Sequence, residues 1–192
     1  TGDTLWLSMI VAAILTIILG MGMPTVSSYI LAAVLIGPLL IKLGIPEMAA
    51  HLFLLYYAVL SAITPPVAVA AFAAASIAED NPMHISFRGM QFGIGAFVLP
   101  FFFVLDPALL GEGTWLEVTW ATARAALMFF LIAIAIAGFF RQQLLSWQRL
   151  LMLFCVVLML IPAPMLQIPA FVAGAILIVS LMRASNPPTV TV

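Results

Sequence analysis

Five hydroxyl side chains sit beside two interruptions of an apolar chain. Thr25, Ser27 and Ser28 follow Pro24 in "GMGMPTVSSY", residues 20–29, and Ser61 and Thr64 flank the proline pair in "SAITPP", residues 61–66. Hydroxyl oxygens and freed main-chain carbonyls suit a hard cation such as Na⁺, and they require no buried charge. The same side chains also have an ordinary use. In membrane helices Ser and Thr bond back to their own backbone, or let helices approach closely. One hydroxyl alone is read in that second way. Clustering at two separate interruptions points instead to a cation or substrate site.

The elements that must hold these residues follow from composition. Of 192 residues, 66% are hydrophobic and 7% charged, and the mean hydropathy is +1.29. An ordinary soluble domain carries about a quarter charged residues. So little charge cannot cover a water-facing surface, and the chain is expected to be an all-α, polytopic membrane protein in contact with the lipid bilayer. The net charge of −1 offers no basic surface for nucleic acid. The single cysteine, Cys155, lies in an apolar run, so neither a disulfide nor a cysteine metal cluster forms within the chain. Thr1 and Gly2 lead directly into a hydrophobic segment without the pattern of a signal peptide. The sequence therefore reads as the C-terminal part of a longer protein.

Apolar segments run over 5–19, 26–43, 49–63, 67–78, 87–105, 115–139, 149–161 and 168–183. A spanning helix needs about 20 apolar residues. Segments 87–105 and 115–139 meet that length, and 149–183 reads as a helical pair turned at the proline-rich residues 161–169. The first four segments fit less well. As helices, 5–19 and 26–43 reach only about 22 and 27 Å, and the tip "GMGMPT" between them is short and apolar for a solvated loop. Residues 49–78 are long enough to span but are cut by Pro65 and Pro66, which lack amide hydrogens and break a helix. Irregular backbone at membrane depth persists only where protein, water or an ion satisfies it. Interruptions by Gly and Pro are the sequence pointer to a transporter's binding site.

With 5–43 taken as a re-entrant hairpin, Lys42 lies on one face, while Arg88, Arg141, Arg149 and Arg183 lie near the other. The excess points the second face to the cytoplasm. Asp3, Glu47, Asp106, Glu112 and Glu117 then fall outside. Two short crossings would return the chain to the same side, so segment length and tip composition carry the hairpin reading. Arg124 falls within an apolar stretch, where a charge is a functional candidate or snorkels to the interface. His51 is expected at the interface and His84 in solvent. Trp6, Trp115, Trp120 and Trp147 lie near segment ends, as in an aromatic belt. The Ala-rich run 67–78 allows close helix approach, for packing or for sliding. There is no HExxH, GxSxG or Walker-type motif, and no reaction is suggested, so the chain is read as a non-enzyme.

"LGMGMPTVSSYILAAVLIGPLL" followed by "AAHLFLLYYAVLSAITPPVAVAAFAAASIA" resembles the last part of the large membrane subunit of TRAP (tripartite ATP-independent periplasmic) transporters, nearest to fused permeases of the TAXI branch. The resemblance covers residues 5 to 110, and 111–192 resemble the extra C-terminal helices of the fused type more weakly. It implies an elevator-type transporter in the bacterial inner membrane. It also implies Na⁺-coupled uptake of organic acids delivered by a periplasmic substrate-binding protein, with Na⁺ as coupling ion and no cofactor. This chain would hold the second hairpin, 5–43, and the second broken helix, 49–78, and would work with the remaining N-terminal part of the permease. Carried over by motif, Gly20, Gly22, Pro24 and Thr25 form the tip, and Ser61, Thr64, Pro65 and Pro66 the facing break. Gly20, Gly22, Thr25, Ser61 and Thr64 would hold Na⁺, and Thr25, Ser27, Thr64 and Pro65 would contact substrate. Many relatives carry a bulkier or acidic residue before the tip proline and a glycine after the break; here these are Met23 and Ala68. Another hairpin-containing ion-coupled carrier, or an assembly subunit without a site, are the competing readings.

Overall fold

Long runs without charge leave the backbone few partners beyond itself, which makes helix the default in such a chain. The computed structural model describes residues 2–140, 142–161 and 163–183. Thr1, Arg141, Pro162 and the side chain of Asp3 lie outside the described residues.

The helices are α1 Gly2–Gly20, α2 Thr25–Leu35, α3 Gly37–Lys42, α4 Glu47–Leu60, α5 Val69–Ala78, α6 Pro82–Phe92, α7 Ile94–Leu105, α8 Trp115–Ala137, α9 Ser146–Leu160 and α10 Pro164–Arg183. A 3₁₀ turn, Ser61–Ile63, extends α4, and another covers Pro107–Leu110. Among the described residues the only strand pairing joins Phe139–Phe140 to Gln142–Gln143. The protein is all-α, as its composition requires.

Among the described residues, two helices are long and apolar enough to cross a membrane, Trp115–Ala137 and Pro164–Arg183; the bent pair Pro82–Phe92 and Ile94–Leu105 makes a third if it is one span. The chain divides between Gly113 and Thr114 into two compact units.

In unit 1, α4 is the central element, and α1, α2, α3 and α7 all pack on it. Its core joins Met9, Ala12 and Ala13 of α1 to Ala32, Leu40, Ala49, Ala50, Phe53, Leu54 and Tyr57. The alanines let the helices close, and the aromatic rings fill the remainder. Phe53 meets Tyr57 and Phe101 at centroid distances of 4.9 and 5.4 Å. The Tyr57 hydroxyl donates to the Phe97 carbonyl at 2.6 Å, fastening α4 to α7. On the other side, the Tyr29 hydroxyl lies 3.0 Å from His51 Nδ1, joining α2 to α4.

Two segments depart from the straight helices expected of them. Residues 26–43 divide into α2 and α3 near Gly37, because Pro38 has no amide to bond back to Val34. Residues 87–105 are not one straight helix: α6 and α7 meet at Gly93 with a bend of 44°. A Cβ on Gly93 would stand 3.2 Å from the Gly89 carbonyl and 3.3 Å from Ile63 Cδ1, so glycine fits that corner.

In unit 2, α9 packs on both α8 and α10. A Cβ on Gly174 would come within 2.8 Å of Leu131 Cδ1, so this glycine sets the approach of α10 to α8. The expected pair in 149–183 is present, and α10 starts at Pro164 rather than near 168. Proline at a helix start loses no bond that the helix would have made. Arg124 is buried inside α8 and is engaged with a partner. Cys155 is buried in α9.

Candidate functional site

The tip is built by a glycine, a proline and two short returns of the chain. α1 ends at Gly20, and the Met21 and Met23 amides turn back to the Ile18 and Gly20 carbonyls, both at 3.3 Å. Gly22 has φ +78°, a left-handed conformation that glycine takes without a Cβ clash. Pro24 is extended, and α2 begins at Thr25. The first amides of any helix find no partner within it. At α2 no side chain caps them, and no acidic residue lies in the first turn.

The break has the same character. After the Ser61–Ile63 turn, Thr64 is extended, Pro65–Pro66 is a cis peptide, and Ala68 sits at φ +33°, ψ +56°. A left-handed alanine is strained by about 1–2 kcal/mol. α5 then begins at Val69, again without a capping side chain or an acidic first turn.

Tip and break meet. A Cβ on Gly20 would overlap the Ser61 hydroxyl and stand 2.7 Å from Ser28 Oγ. The bare Cα of Gly20 therefore faces both hydroxyls. A Cβ on Gly22 would lie 3.6 Å from Val67 Cγ1. Residues 17–28 and 58–72 contain no charged side chain or histidine. Among the described residues, no group of three or more His, Cys, Asp or Glu stands ready for a metal ion. The polar groups here are hydroxyls, carbonyls and helix-start amides.

Each expected residue has a definite place. Gly20 and Ser61 are buried together, and Gly22 is exposed above Val67. Thr25 is half-buried at the first position of α2, and Ser27 is exposed. Thr64 and Pro65 are half-buried, and Pro66 is exposed. Ser61 Oγ donates to the Ala58 carbonyl at 2.7 Å, and Thr64 Oγ1 to the Leu60 carbonyl at 2.8 Å. Both hydrogens are thus committed to the backbone, while the oxygens keep lone pairs for an acceptor role. No hydrogen bond joins Thr25, Ser27 or Thr64 to one another among the described residues.

Ser28 differs from all of these. It is fully buried, and its Oγ is the one buried side-chain polar atom without a hydrogen-bond partner among the described residues. Leaving such a group unsatisfied costs about 1–3 kcal/mol.

Residues 1–118 match the family model described as "Tripartite ATP-independent periplasmic transporter, DctM component". The chain belongs to this TRAP transporter family. It is a large membrane component, so its class is transporter. Family membership implies two kinds of partner, a periplasmic binding protein and a small membrane subunit. No curated protein and no solved structure matches the chain significantly. The family match spans unit 1 and ends in the first turn of α8.

In the sequence of this TRAP component Ser28 is one of five hydroxyls, and neither motif nor resemblance attaches a role to it. The available signal was spacing: Ser28 and Ala32 recur four residues apart and form the buried side of α2. Ala68 stood out only as a departure from the usual glycine; its left-handed backbone explains why glycine suits that position.

Proposed function

We propose that unit 1 carries the ion-binding half-site of a Na⁺-coupled TRAP permease for organic acids. The unpartnered, buried hydroxyl of Ser28, next to Gly20 and Ser61, carries this reading. A buried oxygen with no protein partner is a place that an ordered water or a cation can occupy, and a cation would engage its lone pairs. The surrounding donors fit Na⁺: Ser28 and Ser61 supply uncharged oxygens, with Thr25, Thr64 and the carbonyls around Gly20 and Gly22 close by in the fold. Na⁺ is transported cargo here, and its binding places positive charge between two helix starts. Those starts, at Thr25 and Val69, then favour the carboxylate of an organic acid. Thr25, Ser27, Thr64 and Pro65 are the proposed substrate contacts.

In this reading α1 and α2 form a re-entrant hairpin in the bacterial inner membrane, and α4 with α5 forms the broken helix facing it. The periplasmic binding protein delivers the acid, and the half-site moves across the membrane in an elevator step. The remaining part of the permease supplies a matching half. The likeness to the TAXI branch rests on the tip and break motifs, and it makes α8–α10 the added helices of a fused permease.

The test is uptake by the full-length transporter in vesicles, with Na⁺ concentration varied. Ser28→Ala, Thr25→Ala and Thr64→Ala are each expected to raise the Na⁺ concentration for half-maximal uptake. Ser28→Ala should also raise the thermal stability of Na⁺-free protein, because it removes an unsatisfied buried hydroxyl. Wild-type Na⁺ dependence in all three variants would remove the assignment.

A further inference from the structure

Ser28 faces Gly20 and Ser61 only while α2 keeps one rotation about its own axis. Its inward seam is Thr25, Ser28, Tyr29, Ala32 and Ala33, buried or half-buried, while Val26, Ser27, Ile30 and Val34 are exposed. A Cα lies about 2.3 Å from a helix axis and a hydroxyl farther out, so a turn of about 30° moves Ser28 Oγ by about 1 Å or more. Apolar packing holds that rotation loosely. Beyond the site the inward residues of α2 are alanines, and α4 brings Ala49 and Ala50 to the same core. Small side chains allow close approach, but apolar contact has no direction. The tip does not fix the rotation either, because the Met21 and Met23 amides bond back to carbonyls of α1.

One contact does carry direction. Tyr29 follows Ser28 in the chain, and its hydroxyl lies 3.0 Å from His51 Nδ1 of α4 in a half-buried position. The two rings meet edge-on, with centroids 6.1 Å apart and planes at 67°. Among the described residues no other side-chain hydrogen bond joins α2 to α4. The bond forms with either imidazole tautomer: the hydroxyl donates to a bare Nδ1 or accepts from Nδ1–H. A hydrogen bond weakens steeply as it is misaligned, so this one resists turning of α2. Its anchor is well placed. The helix that carries His51 ends on Ser61, so one element holds both the latch and the second hydroxyl of the site.

We propose that Tyr29 and His51 are positioning residues for cation binding: their hydrogen bond sets the rotation of α2 that aims Ser28 at Gly20 and Ser61. Neither side chain touches the ion. The inference rests on the ion-site reading above and adds the device that keeps its uncapped helix start in register.

The test is Na⁺-dependent uptake by the full-length transporter in vesicles. Tyr29→Phe keeps the ring and removes only the hydroxyl. It is expected to raise the Na⁺ concentration for half-maximal uptake about five-fold, because apparent affinity falls with the fraction of chains in the competent rotation. Uptake at saturating Na⁺ should stay near wild type, since bound Na⁺ draws α2 back to that rotation. His51→Leu should act alike, and the double variant should shift no further than either single one, because both remove the same bond. His51→Asn, whose amide can take either hydrogen-bonding role near the Nδ1 position, should restore most of the affinity. Wild-type Na⁺ dependence in Tyr29→Phe and His51→Leu, with a shift in Ser28→Ala, overturns the positioning role and leaves the ion site standing. No shift in Ser28→Ala removes both. A fall in maximal uptake at unchanged half-maximal Na⁺ overturns the proposal as well, because the bond would then support the fold alone.

Discussion

In unit 2, side chains close the helix ends that they border. Thr114 Oγ1 accepts the Glu117 amide at 3.4 Å, and Glu117 Oε2 accepts the Thr114 amide at 2.8 Å. At the far end of α8, Arg149 Nε donates to the Ala135 carbonyl at 2.6 Å. Gln148 Oε1 accepts the Leu145 amide before α9, and Gln167 Nε2 donates to the Ile161 carbonyl after it. In unit 1, α2 and α5 begin with neither a capping side chain nor an acidic first turn. α4 also lacks a capping side chain, yet Glu47 in its first turn meets the positive helix end. α3 and α7 likewise start without a capping side chain or an acidic first turn, but they continue directly from the helix before them, whereas α2 and α5 follow the irregular tip and break. Among the described residues of unit 2, side chains bond at ends of α8 and α9, and α8 and α10, of 23 and 20 residues, are long and apolar enough to span. Unit 1 leaves polar groups open where its short helices meet. The contrast is the one expected if the proposed ion site lies in unit 1.

Substitutions that add or remove one small group test this contrast. The largest effect is expected from Gly20→Ala, whose new methyl collides with Ser61 and Ser28. Overpacking of this kind costs about 1–3 kcal/mol, and uptake by the full-length transporter should fall about ten-fold or more at equal expression. Normal uptake would show that the tip and break are not held together by that approach. Next is Thr114→Ala in unit 2, which should lower the stability of the detergent-solubilised protein by about 1 kcal/mol. The Na⁺ dependence of uptake should not move, and a shift would break the division of roles between the units. The smallest effect belongs to Ala68→Gly. Relief of the left-handed strain is partly offset by the entropy that glycine loses on folding, leaving a gain below about 1 kcal/mol. A thermal unfolding series resolves it, and a loss of stability would mean that the Ala68 methyl packs more usefully than its backbone suggests.

The sequence carried the architecture further than it carried the site. Apolar length located α8, and the proline-rich stretch before residue 168 located the α9–α10 pair. Pro65 and Pro66 marked the broken helix because their missing amides act locally. The bend at Gly93 was less legible, since it depends on how closely Ile63 approaches a glycine in an apolar run. Ser27 and Ser28 are equivalent in composition, yet one residue turns a helix by about 100°. That rotation leaves Ser27 exposed and puts Ser28 against Gly20. Which of two adjacent hydroxyls faces inward follows from packing of α2 on α4, and local sequence does not encode it alone. Ser61 and Thr64 show the ordinary backbone bonding of such residues, which leaves oxygen lone pairs rather than free hydrogens to offer a ligand.

The central position of α4 also bears on the order of assembly. α1, α2 and α3 precede it in the chain, and each rests on it. During synthesis those three elements are made before the surface that holds them together exists. The tip therefore reaches its final form only after residues through Ser61 have been made, and α7 must follow before Phe97 can receive the Tyr57 hydroxyl. A chain halted between Lys42 and Glu47 would hold the tip sequence complete, with no partner for Gly20.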